Sequence, residues 1–213
     1  MIRIVLADDH ALVREGLKRI VQSVPDFDVV GEAGDGGEVL RLVRETEFDL
    51  LVLDLSMPGR SGMELIKQVK SLKPRLRVLV LSMHQESQYA VRAIKVGASG
   101  YLTKESAPAQ LEQALRKIAA GGAWVSADVA QQLALGAMPG SQAAPHEALS
   151  SREFEVFQML VAGHSVTAIG ARLSLSVKTV STHKANLMHK LGLNNSSELV
   201  RYAIKHGLGG ESV

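Results

Sequence analysis

Two four-residue runs, Leu50-Leu51-Val52-Leu53 and Val78-Leu79-Val80-Leu81, are apolar at every position. A strand with one wet face alternates in polarity, whereas a strand covered on both faces does not. The runs therefore predict central strands of a parallel sheet with helices on either side. Similar short runs predict five strands in all, at Ile2–Ala7, Val29–Ala33, Leu50–Leu55, Val78–Ser82 and Ser99–Leu102. Amphipathic stretches fall between and after them, at Ala11–Val24, Gly37–Thr46, Gly62–Leu72, Glu86–Val96 and Ala107–Ala120. Pro25, Pro58, Pro74 and Gly97 punctuate the joins. Five β-α units in series specify an α/β domain with a doubly wound five-stranded parallel sheet.

This pattern ends before the chain does. Leu135–Glu147 is rich in Gly, Pro, Ala and Ser and reads as a linker. Beyond it only helical periodicity remains, at Ser151–Ala162, Val166–Leu173, Val177–Leu191 and Ser197–His206. The expected organisation is an α/β domain over 1–125, a helix or linker over 126–147 and an all-α domain of four helices over 148–213. A chain of 213 residues, 46% of them apolar, can fill two such cores. The absence of cysteine excludes disulfides, zinc-thiolate sites and thiol nucleophiles. The apolar run at the N-terminus is short and ends in two carboxylates, unlike a signal peptide. No stretch approaches the roughly 18 apolar residues that a membrane span needs. A cytoplasmic protein without a membrane partner is expected.

In a parallel α/β sheet, ligands bind beyond the carboxyl ends of the strands. Asp8 and Asp9 follow the first strand and Asp54 closes the third. Three carboxylates packed together call for a neutralising cation, and an all-oxygen donor set with room for water and phosphate suits Mg²⁺. Lys104 follows the fifth strand and Ser82 ends the fourth, adding a cation and a hydroxyl donor. Such a pocket can transfer a phosphoryl group onto Asp54. Singly, each residue has an ordinary reading: an aspartate after a strand caps a helix, a lysine is solvated, and Tyr101 packs. Only the set points to chemistry.

The ordered series Asp8-Asp9, Asp54 followed by Met57-Pro58-Gly59, Ser82, Tyr101 and Lys104 resembles the receiver domain of response regulators. The resemblance covers residues 1 to about 120. It implies that Asp54 accepts phosphate from a sensor histidine kinase. It implies that Asp9, Asp54 and the Ser56 carbonyl ligate Mg²⁺, with Asp8 acting mainly through water. Lys104 would pair with the phosphoryl group. Ser82 and Tyr101 would turn inward and couple the chemistry to the face formed by the fourth helix, fifth strand and fifth helix. Glu105 stands where many receivers have proline. A phosphatase built on an aspartyl-phosphate is the enzymatic alternative, but such enzymes carry a second aspartate two residues after the nucleophile. That position is Ser56, so a stoichiometric switch rather than an enzyme is expected.

In the second domain, Val177, Val180, Leu187 and Leu191 fall near one stripe of a helix. Its other side presents Lys178, Thr179, Ser181, Thr182, His183, Lys184 and Ala185, a small, polar and basic front able to enter a major groove. Residues 148–213 carry 7 Lys+Arg against 4 Asp+Glu, an excess that permits nucleic-acid binding without requiring it. A helical protein-interaction module with a solvated charged face fits the composition as well.

Leu149-Ser150-Ser151-Arg152-Glu153-Phe154-Glu155-Val156, Gly163-His164-Ser165, Ile169, Thr179-Val180, His183 and Lys190-Leu191-Gly192 resemble the LuxR-type helix-turn-helix. With the receiver they point to the NarL/FixJ family of transcriptional regulators. By that resemblance Val177–Leu191 is the recognition helix. Ser181, Thr182 and Ala185 would face bases, and Lys178, Thr179, His183 and Lys184 would mostly touch backbone. Ser197–His206 would be the dimer helix, with Ser197, Leu199, Val200 and Ala203 as its contacts. The implied partners are promoter DNA with paired half-sites, a sensor histidine kinase and a second copy of the chain on phosphorylation. RNA polymerase remains an open partner. The family often has Asn-Lys-Glu-Ile where this chain has Val166-Thr167-Ala168-Ile169, and a lysine where this chain has Ser181. A phosphorylation-gated protein-binding module and a constitutive regulator are the competing readings.

Overall fold

The computed structural model describes residues 1–57, 62–83, 87–137 and 144–208. They form two compact units, Met1–Leu133 and Ala134–Val213. The expected Pro58 and Gly59, the Glu86 helix start and residues 138–143 of the linker lie outside the described residues.

The first unit runs β1 (Ile2–Ala7), α1 (Ala11–Gln22), β2 (Phe27–Ala33), α2 (Gly36–Glu45), β3 (Leu50–Asp54), α3 (Gly62–Leu72), β4 (Arg77–Ser82), α4 (Ser87–Lys95), β5 (Gly100–Thr103) and α5 (Ala107–Ala119). All neighbouring strands pair in parallel, in the order β2-β1-β3-β4-β5. Every residue of β3 is buried, as its unbroken apolar run requires. Ile4, Leu6, Leu50, Val52, Leu79 and Leu81 face one side, against Leu17 and Val21 of α1 and Leu111, Leu115 and Ile118 of α5. Burial of each such side chain stabilises the fold by about 1.5–3 kcal/mol. The alternate residues Val5, Leu51, Leu53, Val78 and Val80 are fully buried on the opposite side.

Several boundaries shift by one or two residues. β2 begins at Phe27 rather than Val29, because Phe27 is buried and pairs with Ile2. β5 spans Gly100–Thr103, in register with Leu79–Ser82. After α5 the chain returns beside β5: the Tyr101 N–H donates to the Trp124 carbonyl at 2.8 Å, and the Trp124 N–H donates to the Ser99 carbonyl at 3.2 Å. A Cβ at Gly100 would meet the Trp124 backbone oxygen at 3.0 Å and Ile118 Cδ1 at 2.7 Å, so this close return requires glycine. Helix α6 (Ala127–Gly136) follows, with Val129 buried. The expected linker over Leu135–Glu147 therefore begins within α6 and ends within a 3₁₀ turn at Pro145–Ala148. Its low charge and small residues do not distinguish a short helix from a coil.

The second unit holds α7 (Ser151–Val161), α8 (Val166–Leu173), α9 (Val177–Leu191) and α10 (Ser196–Lys205). Ser150, Ser165, Ser176 and Asn195 cap the four helices by accepting from the N–H three residues on. The α8–α9 joint turns at Ser174, which is left-handed at φ +53°. Its closeness depends on Gly170, where a Cβ would sit 2.8 Å from the Leu175 carbonyl oxygen. Phe154, Val156, Phe157, Ile169, Val180, Leu187, Leu191, Leu199 and Ala203 are buried in this unit.

Candidate functional site

The alternation that buries the sheet also delivers the pocket. Ile4 and Leu6 share parity with Asp8, Leu50 and Val52 with Asp54, and Leu102 with Lys104. The strand register that aligns the leucines thus brings three charged side chains to one side of the sheet's carboxyl edge. Lys104 Nζ lies 2.8 Å from Asp54 Oδ2 and 2.7 Å from Asp8 Oδ2. Both carboxylates are fully buried, and the lysine side chain is 9% exposed.

Asp54 Oδ1 accepts from the Ser56 N–H at 2.9 Å, and Asp8 Oδ1 accepts from the His10 N–H at 2.9 Å. Asp8 Oδ2 is held by its ion pair with Lys104. The Arg14 guanidinium donates to the Asp8 carbonyl and to Glu32 Oε2, fixing the turn after β1. Burial pushes the Asp54 carboxyl above its ordinary value, against the opposing pull of the Lys104 ammonium and the Ser56 N–H. Burial disfavours the Lys104 ammonium too, but its contacts with Asp54 and Asp8 outweigh it and raise the lysine.

Asp9 stands at the mouth, more exposed than Asp8. Ligand atoms of Asp8, Asp9, His10 and Asp54 all lie within 4.8 Å of one another. Three carboxylates face one ammonium, an excess of negative charge on oxygen donors. The donor set therefore fits a divalent cation. Sequence reasoning named the three aspartates and Lys104 but missed His10, whose only signal was its place directly after Asp8-Asp9.

Ser82 is fully buried on the same edge, and its carbonyl accepts from the Lys104 N–H at 2.8 Å. Tyr101 is buried, paired with Val80, at the parity of Ser82 and opposite to that of Leu102 and Lys104. It lines a cavity of about 190 Å³ with Ala90, Ser106, Trp124 and Val129.

In the helical unit, α9 exposes Lys178, Ser181, Thr182 and Ala185 and half-buries Thr179, His183 and Lys184. The Thr179 hydroxyl is engaged with Ser176 at 2.8 Å, and the Thr182 hydroxyl donates to the Lys178 carbonyl. Val180, Leu187 and Leu191 back the helix, but Val177 is 49% exposed. Val177 is therefore corrected from the apolar stripe: it is the first helical residue, and its side chain slants beyond the helix start. On α10, Ser197 and Val200 are exposed while Leu199 and Ala203 are buried in their own unit. Glu153, buried in the first turn of α7, closes a capping box with Ser150 and pairs with Lys190 of α9 at 2.6 Å. Burial opposes its charge, but Lys190 and Ser150 outweigh burial and hold its carboxyl below the ordinary range.

A five-stranded parallel sheet with an acidic pocket at its carboxyl edge, followed by a helix-turn-helix unit, defines a response regulator. Residues 4–116 match the response regulator receiver domain, and residues 147–203 match the bacterial regulatory proteins of the luxR family. The chain belongs to the NarL/FixJ family of response regulators, transcription regulators that join a receiver to a LuxR-type DNA-binding domain. It is 34% identical over 209 residues to the response regulator UvrY of Escherichia coli, covering 98% of this chain and 96% of the relative. The response regulator GacA of Pseudomonas aeruginosa is 35% identical over 209 residues, covering 98% of each. Among solved structures, RcsB of Salmonella enterica serovar Typhimurium, bound to promoter P1flhDC with the phosphomimetic BeF3⁻, is similar at a TM-score of 0.68. Its identity is 29%, over 94% of this chain and 97% of that one.

Proposed function

We propose that Asp54 accepts a phosphoryl group from a sensor histidine kinase, and that this modification controls dimerisation and sequence-specific DNA binding. The observation that carries this reading is the buried Asp54 carboxylate held against Lys104, with Asp8 and Asp9 beside it. An Asp54 oxygen forms the new P–O bond as the donor's P–N bond breaks and its imidazole leaves. Lys104 lies where it can follow the phosphoryl oxygens, and Ser82 can turn its hydroxyl toward them. A Mg²⁺ held by Asp9, Asp54 and the Ser56 carbonyl, with Asp8 acting through water, would supply charge neutralisation when bound. Tyr101 would carry the change to α4, β5 and α5. With Ser56 two residues after Asp54, no second acid serves a leaving group, so the chain acts as a stoichiometric switch rather than a turnover enzyme.

In the helical unit Ser181, Thr182 and Ala185 would face bases, and Lys178, Thr179, His183 and Lys184 the phosphate backbone. Ser197 and Val200 would form the dimer contact on α10, with Leu199 and Ala203 supporting them from inside. The receiver would span 1–125 and the DNA-binding domain 148–213, and the protein would work in the cytoplasm. RNA polymerase would be a further partner. The RcsB structure on promoter DNA with a phosphomimetic supports the DNA and switch readings by kinship.

The test is a footprint over the protein's own upstream region, with Mg²⁺, with and without acetyl phosphate, and with modification of Asp54 checked by intact mass. Strengthening by the phosphodonor is the expected result. Equal protection by modified and unmodified protein would discard the switch. If genome-wide site selection with the phosphorylated protein yields no site either, DNA recognition fails as well.

A further inference from the structure

We propose that Arg14, clamped by Glu32, is a positioning residue of the phosphoryl-accepting pocket: it fixes the Asp8–Asp9 peptide, and with it the direction from which Asp9 enters the pocket. The proposal rests on the reading of Asp54 as the phosphoacceptor and of the neighbouring aspartates as its cation site. It adds no ligand to that site. It names the group outside the pocket on which the pocket's shape depends.

Asp8 is pinned at every polar atom. Its N–H donates to the Ala33 carbonyl at 3.1 Å, its Oδ1 accepts from the His10 N–H at 2.9 Å, and its Oδ2 pairs with Lys104 at 2.7 Å. Its carbonyl oxygen accepts from Arg14 Nη1. That oxygen lies in the planar peptide that leads into Asp9. Asp9 stands between β1 and α1, outside the strand ladder, so the Arg14 bond sets the plane from which Asp9 departs. Arg14 is held in turn. Its Nε donates to Glu32 Oε2 at 3.2 Å, and Glu32 Oε1 accepts from Lys18 Nζ at 2.7 Å. Arg14 and Lys18 lie one turn apart on α1 and share a face. Glu32 lies on β2 opposite Leu6, two residues before Asp8. Lys18 foremost, with Arg14, holds the Glu32 carboxyl below its ordinary range against the effect of burial, so Glu32 is a charged anchor for the guanidinium.

The side-chain chemistry suits the task. A guanidinium is a rigid planar fork, so one group can bridge a carbonyl and a carboxylate in fixed directions. An ammonium on a flexible stem carries the same charge without that geometry. Charge and position also act with opposite signs here. A cation beside the pocket repels Mg²⁺, so by charge alone the loss of Arg14 would tighten Mg²⁺ binding. By position, the loss of Arg14 frees the Asp8–Asp9 peptide and loosens it. Groups that orient metal ligands from behind are typically worth about 10–100-fold in metal affinity. Arg14 holds the backbone of one ligand and not its carboxylate, which places the expected effect at the lower end.

The test uses the full chain, at a temperature where thermal melts show each variant folded. Mg²⁺ affinity is read by calorimetry, and exchange of the His10 amide, which donates to Asp8, is read by NMR in EDTA. Arg14→Met should bind Mg²⁺ about ten-fold more weakly and exchange the His10 amide faster. Arg14→Lys keeps the charge and loses the fork, and should bind about five-fold more weakly. Glu32→Gln should weaken binding about three-fold alone and add nothing to Arg14→Met, because it acts through Arg14. Mg²⁺ binding unchanged or tightened in Arg14→Met overturns the proposal, and so does wild-type affinity in Arg14→Lys. The lysine variant carries the test by itself if the methionine variant does not fold. A Glu32→Gln loss that persists in full on the Arg14→Met background overturns the clamp and leaves Glu32 acting by its charge. Failure of the underlying reading is seen separately, as a wild type that binds no Mg²⁺ or is not modified at Asp54 by acetyl phosphate.

Discussion

Replacing Lys104 with methionine tests how the pocket is neutralised. The ammonium sits within 2.8 Å of two fully buried carboxylates. Removing one partner of such an arrangement costs about 3–5 kcal/mol, because the charges left behind are buried without compensation. Asp54 has an escape, which is to take up a proton. From an ordinary pKa of 3.8, keeping a carboxyl protonated at pH 7 costs about 4 kcal/mol at 1.36 kcal/mol per unit. That sets a ceiling on the Asp54 contribution, and the wild type already bears part of it through burial. Lys104→Met is therefore expected to lose about 3 kcal/mol at pH 7 in EDTA. Trp124 is the chain's one tryptophan and packs against the sheet core, so its fluorescence follows the receiver alone through urea unfolding. With a slope of about 2 kcal/mol per molar urea, the midpoint should fall by about 1.5 M. Saturating Mg²⁺, which stabilises by about 4 kcal/mol at a thousand-fold excess over Kd, should raise the variant more than the wild type. Lys104→Met/Asp54→Asn should recover about 2 kcal/mol without metal. A midpoint unmoved by Lys104→Met would refute the picture of a lysine holding two buried carboxylates. An equal Mg²⁺ response in wild type and variant would refute the exchange of one neutraliser for another.

Asp54→Asn in EDTA should stabilise the receiver at pH 7. Its raised carboxyl weakens the fold once ionised, and the advantage should shrink as acid protonates Asp54, as read by urea midpoints between pH 7 and pH 4. Glu153 has the opposite sign. Its depressed carboxyl adds stability that is present above the ordinary carboxylate range and lost as pH falls through its folded value. Glu153→Gln should therefore lower the melting temperature of the helical unit at pH 7 and flatten its acid limb in calorimetry. Gly170→Ala should destabilise the helical unit by about 1–2 kcal/mol, since the 2.8 Å approach to the Leu175 carbonyl outweighs the helix gain of about 1 kcal/mol. Gly16→Ala, exposed on α1 with open space around its Cβ, should stabilise the receiver by about 0.5–1 kcal/mol. Melting curves that rank these two alanines alike would contradict the steric account.

The parallel sheet was legible because Leu50–Leu53 and Val78–Leu81 left no wet face, and because Pro25, Pro58, Pro74 and Gly97 punctuated four of the joins. The pocket was legible because Asp8, Asp54 and Lys104 each stand at or just after the end of a strand, the edge where a parallel sheet binds its ligands. His10 was not, since a histidine after two aspartates has no periodic or chemical signature until the turn after β1 folds it back. Glu153 and Lys190 are 37 positions apart, and no local pattern links them. The inward turn of Leu199 and Ala203 and the outward turn of Val200 follow from helix phase against a core that the sequence does not locate. α6 was blurred because Ala, Gln and Leu over 130–135 suit a helix and a low-charge tether equally.

The return of Trp124 to β5 bears on how such proteins can be recombined. Backbone from Ser99 to Tyr101 is tied to Trp124, so the exit from the receiver is part of the sheet and not an appendage to it. A chimera that exchanges the output domain at the Pro145–Ala148 turn would keep this tie, and any displacement of β5 would reach the new domain's tether. A graft made before Trp124 would sever it and expose Gly100 and Tyr101 to a foreign segment. Modularity in this chain therefore has a definite frontier, set by two backbone hydrogen bonds rather than by the end of the fifth helix.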